Sequence, residues 1–125
     1  MRHHRALIQL AILLFAGLGA AAAASALQAQ RMDPGRGETL SRPPQHLRVF
    51  FDVLPDPAKS ELTLRGPEGE LRVEGLHTMG ENDLMARIVG RVADGEYTAR
   101  WRAVGTDGST SEGEWRFVVK RGQPS

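Results

Sequence analysis

The sequence of 125 residues contains no cysteine. The protein can therefore form neither a disulfide bond nor a thiolate metal site, and it has no cysteine nucleophile. A chain of this length is sufficient for one domain and short for two. We expect a single domain whose stability comes from a packed core.

The chain also lacks a strong net charge, with 16 lysine and arginine residues against 15 aspartate and glutamate residues. The first 26 residues contain two of the arginines and no acidic residue, so the remainder has 14 basic and 15 acidic side chains. A nucleic-acid-binding domain needs a strongly basic surface to neutralise phosphates. This charge balance argues against a nucleic-acid partner.

A single long uncharged run extends from Ala6 to Gln30, after a basic start. The run becomes rich in alanine, and the segment Ala24-Ser25-Ala26 provides the small side chains that a signal peptidase requires. We therefore predict a signal peptide at residues 1–26. The alternative is an uncleaved anchor in the inner membrane, because an uncharged run longer than about 18 residues can span a bilayer.

Helical periodicity is absent from the rest of the chain, where apolar and polar residues alternate in short runs separated by glycine, proline, asparagine and aspartate. Both tryptophans, Trp101 and Trp115, fall on the apolar faces of such runs. The pattern predicts an all-β, immunoglobulin-like antiparallel β-sandwich, or a Greek-key barrel as the competing closure. Six strands are predicted: one at 47–53, a hairpin of two at 60–75, and three at 84–89, 96–104 and 114–120.

The predicted sandwich occupies residues 45–121, with a short tail at 122–125. Residues 27–44 contain several prolines and glycines, which predicts an extended lead-in that packs as part of the sandwich. Tyr97 opens a strand as in the tyrosine corner of sandwich domains, whose hydroxyl bonds to the backbone just upstream. The alternative for this residue is an ordinary half-buried strand aromatic.

Two segments carry a family resemblance. Residues 33–52, DPGRGETLSRPPQHLRVFFD, combine a Pro-x-x-Gly stretch, a following proline and an alternating first strand. Residues 94–119, DGEYTARWRAVGTDGSTSEGEWRFVV, combine Gly-x-Tyr, Trp-Arg-x-Val, an aspartate-centred loop, a glycine and the final strand. These segments resemble the opening and the close of the CopC-type periplasmic copper-resistance domain.

The resemblance implies a barrel-like β-sandwich in the periplasm that binds copper without catalysis. Its implied partners are a copper ion and a membrane copper-transport protein. In that family, copper(II) is held by an N-terminal histidine, through its amine and imidazole, and by the Asp and His of an Asp-x-His-Pro loop. Some members add a methionine-rich copper(I) site.

Only part of this ligand set is present. Asp107 matches the family aspartate, but Ser109 stands at the histidine position and Thr110 at the proline position. No histidine occurs between His4 and His46, so the predicted cleavage leaves no imidazole at the new N-terminus. Copper(II) prefers imidazole and amine nitrogens. We therefore expect a degenerate copper(II) site, with Asp107 acting mainly as a turn residue.

The segment LHTMGENDLM offers a different set of ligands. His77, Met79 and Met85 supply one imidazole and two thioethers within nine residues, and Met32 is a candidate third thioether. Copper(I) accepts soft donors and low coordination numbers. The set predicts a weak copper(I) site, and the alternative is that these methionines serve packing. His46 is expected to be a solvated residue at a strand start.

Nothing in the sequence predicts catalysis. Ser109 and Ser111 have no histidine near them in sequence, and Glu112 and Glu114 share one strand face, as expected for a solvated surface. The exposed strand faces are expected to form cross-strand ion pairs. They involve three arginines and two glutamates: Arg100, Arg102, Arg116, Glu96 and Glu114. We expect a non-enzymatic copper-binding protein, and the alternative is a metal-free module that docks on a membrane or periplasmic partner.

Overall fold

The computed structural model describes residues 26–122, so all of the predicted signal peptide except its last residue lies outside the described part of the chain. The described strands are β1 (Ala29–Asp33), β2 (Thr39–Leu40), β3 (His46–Phe51), β4 (Glu61–Gly66), β5 (Gly69–His77), β6 (Asp83–Val89), β7 (Gly95–Val104) and β8 (Thr110–Val119). A short 3₁₀ helix, Pro57–Lys59, precedes β4. Within this range no helix is long and apolar enough to cross a membrane.

These strands form one continuous sheet in the order β1-β3-β6-β5-β4-β7-β8-β2. Neighbouring strands are antiparallel, except that β2 runs parallel to the end of β8. Strand β5 pairs with β4 near its start and with β6 over the remainder, so the sheet curls at β5 into two layers. The order β3-β6-β5-β4 is a Greek key. The predicted all-β antiparallel fold is confirmed.

The six strands predicted from alternation correspond to β3 through β8, and the lead-in adds β1 and β2. These two additional strands have five and two residues and lie at the two edges of the sheet. Their positions are set by hydrogen bonds to β3 and β8 rather than by an alternating buried face. For this reason the apolar pattern could not reveal them.

The core lies between the two layers and takes alternate residues from each long strand. On β7 and β8 the alternation of buried and more exposed positions follows the two-residue period of a pleated strand. The fully buried large side chains are both aromatic and aliphatic, and they include Trp115, Tyr97, Phe51, Phe117, Leu47, Leu64 and Leu84. Burial of each such side chain contributes about 1.5–3 kcal/mol to folding.

The aromatic residues of the core keep their polar atoms bonded. The Tyr97 hydroxyl donates to the Ala93 carbonyl at 2.6 Å, which is the hydrogen bond of a tyrosine corner. The Trp115 indole N–H donates to the Pro34 carbonyl at 2.8 Å and so ties the lead-in to β8. Each aromatic side chain therefore buries a large apolar area without leaving an unpaired donor.

Phe50 is the exception to the alternation, because it points outward from β3. The guanidinium carbon of Arg31 in β1 lies 4.0 Å from the ring centroid, and that of Arg48 lies 4.3 Å from it. Two cation–π contacts, worth about 0.5–1 kcal/mol each at exposed sites, therefore cover the ring. Arg31 of the lead-in therefore helps to cover Phe50.

The antiparallel order places alternate loops at opposite ends of the sandwich. We call the end with the β3–β4, β5–β6 and β7–β8 loops the upper end, and the end with the β2–β3, β4–β5 and β6–β7 loops the lower end. The candidate metal ligands predicted from the sequence lie at or near the upper end.

Candidate functional site

The turn between β7 and β8, at the upper end, carries Asp107. The Gly105 N–H donates to the Ser109 carbonyl at 2.7 Å and closes the turn. The Asp107 Oδ1 atom accepts from the Ser109 N–H at 3.0 Å and from the Ser109 hydroxyl at 2.5 Å. Asp107 is therefore the hydrogen-bonding centre of its own turn, as an Asx turn requires.

These bonds decide what Asp107 offers to a metal ion. The Ser109 hydroxyl, followed by the Ser109 N–H, holds the pKa of the exposed Asp107 carboxyl below its ordinary value. The carboxylate is thus ionised at neutral pH, but one oxygen is occupied within the turn. Ser109 adds a neutral hydroxyl and no imidazole. This donor set does not fit copper(II), which prefers nitrogen ligands.

Leu27 and Gln28, near the start of the described range, lie beside this turn. The Leu27 N–H donates to the first carbonyl of β8 at 2.9 Å, and the Gln28 N–H donates to Oδ1 of Asp52 at 2.9 Å. A chain cut after Ala26 therefore places its new amine near Asp107, on a residue without an imidazole. A shallow hollow of about 410 Å³ lies beside the predicted amine and the turn. Its lining residues are Ala26, Leu27, Asp52, Val53, Asp107, Gly108 and Ser109.

A second candidate cluster lies where β5 and β6 meet at the upper end. His77 is the direct partner of Met85 in the antiparallel ladder, so their side chains lie on the same face of the sheet. This is the outer face, because the adjacent residue Leu84 is fully buried. Directly opposite Cβ atoms are about 4.5–5.5 Å apart, which allows both side chains to reach one ion.

A β-bulge between Glu74 and His77 sets the orientation of the imidazole. Gly75 in the bulge has a φ of 69°, a left-handed conformation that glycine adopts readily. Its carbonyl lies 2.6 Å from Nδ1 of the exposed His77 ring. When Nδ1 donates its proton to this carbonyl, Nε2 keeps a free lone pair. Histidine ligands of metal ions are commonly oriented in this way.

The candidate methionines differ in where their side chains lie. Met79 follows β5 by two residues, and its side chain is 58% exposed. Met32 pairs with Val49 of β3 and packs against the core, so it faces inward. The structure does not bring Met32 together with His77 and Met85, because the pleat of β1 directs its side chain to the inner face.

Asp83, which the sequence did not single out, organises the loop that carries Met79. It is the one fully buried carboxyl among residues 26–122. Its Oδ1 accepts from the Thr78 hydroxyl at 2.9 Å and from the Met79 and Glu81 N–H groups at 3.0 and 3.1 Å. Its Oδ2 accepts from Nε of Arg48 at 2.9 Å. The loop is thereby fixed to β3 and β6.

The electrostatics of Asp83 follow from these contacts. Burial by itself raises the pKa of the carboxyl, but the hydrogen bonds, led by that from the Glu81 N–H, outweigh burial and hold the pKa below its ordinary value. An aspartate after Gly80 and Asn82 looks like a turn residue in sequence. One feature of the sequence could have indicated its role. Thr78, five residues earlier, stands at the other end of the loop and has a hydroxyl that can donate to the Asp83 carboxylate.

The remaining predicted groups lie elsewhere. His46 is exposed at the start of β3, at the lower end, away from the candidate ligands. The outer face of β7 and β8 carries two of the expected cross-strand ion pairs, Arg100–Glu114 at 3.7 Å and Arg116–Glu96 at 3.5 Å, whereas Arg102 makes no ion pair among residues 26–122. Exposed pairs of this kind contribute about 0–1 kcal/mol.

The surroundings of Ser109 and of the acidic side chains bear on two other kinds of site, a serine nucleophile and a carboxylate metal centre. The Ser109 hydroxyl donates to Asp107 rather than to a histidine. Within residues 26–122, no group of three or more His, Cys, Asp or Glu side chains could hold a metal ion.

Comparison with known proteins gives the same fold. The chain matches the structure of CopC from Methylosinus trichosporium OB3b at 22% identity, with a TM-score of 0.69, covering 79% of this chain and 98% of that one. It matches PcoC, a methionine-rich copper resistance protein from Escherichia coli, at 17% identity, with a TM-score of 0.68, covering 76% and 99%. No curated protein sequence matches this chain.

The family model of the CopC domain matches residues 29–120, which begin with β1 in the lead-in and end just after β8. The match therefore includes both edge strands, the Asp107 turn and the β5–β6 loop, and by it the chain belongs to the CopC domain family.

Proposed function

We propose that this protein binds copper in the periplasm without catalysing a reaction, and that it retains a copper(I) site rather than a copper(II) site. The signal at residues 1–26 would export the domain at 45–121 together with its lead-in. Family membership and the likeness to a copper resistance protein support the general role. The observation that carries the choice of ion is the pairing of His77 with Met85 across the β5–β6 ladder.

The copper(I) site would be built from three side chains at the upper end. Nε2 of His77 supplies the borderline nitrogen donor, and the sulfurs of Met79 and Met85 supply the soft donors that copper(I) prefers. All three ligands are neutral, so the ion keeps its charge on an exposed surface. We expect weak binding for this reason.

The copper(II) site of the family would be degenerate in this chain. Asp107 is engaged by Ser109, and the residue at the predicted mature N-terminus is Leu27. One carboxylate and one amine are a poor set for copper(II) compared with imidazole nitrogens.

The test is a titration of the purified protein with copper(I) under anaerobic, reducing conditions, followed by NMR. We expect shifts of the His77 ring signals and of the Met79 and Met85 methyl signals. Replacing both methionines in a Met79→Leu/Met85→Leu variant should weaken binding by at least about tenfold, since each tenfold change corresponds to the loss of about 1.4 kcal/mol. A parallel copper(II) titration should show no tight uptake.

Met32 provides a matched control. It is a methionine on the inner face of the same sheet, so Met32→Leu should leave the copper(I) affinity unchanged. Equal weakening by Met32→Leu and by the double variant would contradict the proposed ligand set, as would tight copper(II) binding.

A metal-free interaction module is the second candidate function. It is favoured by the lack of a His, Cys, Asp or Glu metal cluster in residues 26–122. In that case the sandwich would dock on a membrane or periplasmic partner, and neither copper ion would change the spectra.

A further inference from the structure

A hollow at the lower end lies at the opposite end of the sandwich from the candidate copper ligands. It lies between the β2–β3 loop, the β6–β7 loop and the residues that follow β8, and its volume is about 480 Å³. Its lining combines prolines, apolar residues and basic residues: Pro43, Pro44, Gln45, His46, Arg87, Ile88, Gly90, Arg91, Val92 and Arg121.

Every ionisable side chain in this lining is basic. Two of the arginines have a carboxylate partner outside the lining: Arg87 contacts Glu74 at 3.2 Å, and Arg121 contacts Asp94 at 2.6 Å. Arg91 is exposed and makes no ion pair with any residue in the 26–122 range. The hollow therefore has a basic surface with one guanidinium still available.

The walls of the hollow are held in place by the fold. The Ile88 N–H donates to the Gln45 carbonyl at 2.9 Å and joins the β2–β3 loop to β6. The Arg121 guanidinium donates to the Val92 carbonyl as well as to Asp94, which fixes the chain after β8 against the β6–β7 loop. The walls of the hollow and the Arg121 guanidinium are thus preorganised, which lowers part of the ordering cost of binding, whereas the exposed Arg91 side chain is ordered on binding.

We propose that this hollow binds a phosphate group. Guanidinium groups present planar forks of N–H donors that match the oxygens of phosphate, and they are less strongly hydrated than ammonium groups. The lining also contains two buried apolar residues, Ile88 and Val92, beside the basic groups. The site is independent of copper, because His46 and the arginines lie at the end opposite His77.

The phosphate can come from free phosphate esters or from lipid headgroups, and the experiment separates the two sources. Inorganic phosphate is titrated into the purified protein at constant ionic strength, with chloride as the replacement salt, and the amide signals are followed by NMR. Separately, the protein is sedimented with phosphatidylglycerol vesicles. The variant is Arg91→Gln, and the matched control is Arg102→Gln, an exposed arginine on β7 that also has no ion pair among residues 26–122 and lies outside the hollow.

We expect saturable phosphate shifts at Gly90, Arg91 and His46 that Arg91→Gln weakens by at least about tenfold, since a charge-assisted hydrogen bond is lost. The control should bind as the parent does. Vesicle binding with the same dependence on Arg91, but without shifts from inorganic phosphate, would also support the site and would identify a lipid headgroup as the source. Binding to neither probe, or equal weakening by the two variants, would overturn the proposal.

Discussion

Replacement of Asp83 by asparagine tests how the loop between β5 and β6 is held. The substitution keeps the shape of the side chain but removes its charge and one of its two acceptor oxygens. In the parent, four donors converge on the carboxylate, three on Oδ1 and one, from Arg48, on Oδ2. In the variant, the amide N–H₂ must face either the Arg48 guanidinium or the three donors of the loop.

The magnitude follows from burial and from the number of bonds. Hydrogen bonds to a charged group contribute about 1.5–3 kcal/mol each, and disruption of a buried ion pair costs about 3–5 kcal/mol. Because the asparagine side chain retains one acceptor oxygen, we take the lower part of this range and expect Asp83→Asn to lower the free energy of unfolding by about 3 kcal/mol. For a domain of this size, that corresponds to a Tm lower by roughly 12–24 °C.

The stabilisation by Asp83 should also depend on pH in a defined direction. The pKa of Asp83 is lower in the folded protein than its ordinary value, so folding favours the ionised form. The stabilisation is therefore complete above the unfolded pKa of about 4 and is lost as the pH falls through the folded pKa. Parent and variant should differ most at neutral pH and should converge in acid.

Urea unfolding at pH 7 and at a series of acidic pH values measures these differences directly. The control is Glu96→Gln, which removes an exposed partner of Arg116 and should cost less than about 1 kcal/mol. Hydrogen exchange of the Met79 and Glu81 amides should accelerate in Asp83→Asn. If the variant is as stable as the control at pH 7 and these amides remain protected, the assigned role of Asp83 is wrong.

Two further substitutions test the core. Tyr97→Phe should lower the free energy of unfolding by about 1–2 kcal/mol, because it leaves the Ala93 carbonyl without its donor, and unchanged urea unfolding would contradict the tyrosine corner. Gly113→Ala should cost about 1–3 kcal/mol, because the new Cβ would lie 2.3 Å from Cζ2 of Trp101. Gly35→Ala is its control, since the new Cβ meets only the flexible end of a glutamate at 3.1 Å. Equal melting temperatures for the two alanine variants would argue against close packing at Trp101.

The long strands could be predicted from the sequence because their burial is periodic. On β7, the side chains of Tyr97, Ala99, Trp101 and Ala103 are all buried and alternate with polar residues, so the pattern defines the strand and its inner face. Strands β1 and β2 lie at the sheet edges and have no such face. Their pairing depends on long-range contacts, such as the bond from Trp115 to the Pro34 carbonyl, which are not visible in local sequence.

The candidate site could be predicted only as a set of residue types. The composition of the His77 segment indicated soft ligands, but it did not show which methionines share a face. That depends on strand register, which pairs Met85 with His77 and Met32 with Val49. The role of Asp83 was hidden for the same reason, because its partner Arg48 lies 35 residues away in sequence.

The central claim is that this chain holds copper(I) with His77, Met79 and Met85 rather than copper(II) at Asp107. X-ray absorption at the copper edge, on protein loaded with one equivalent of copper(I), tests it most directly. We expect sulfur scatterers around the ion that are absent from the Met79→Leu/Met85→Leu variant. A shell of nitrogen and oxygen alone, identical in parent and variant, would contradict it.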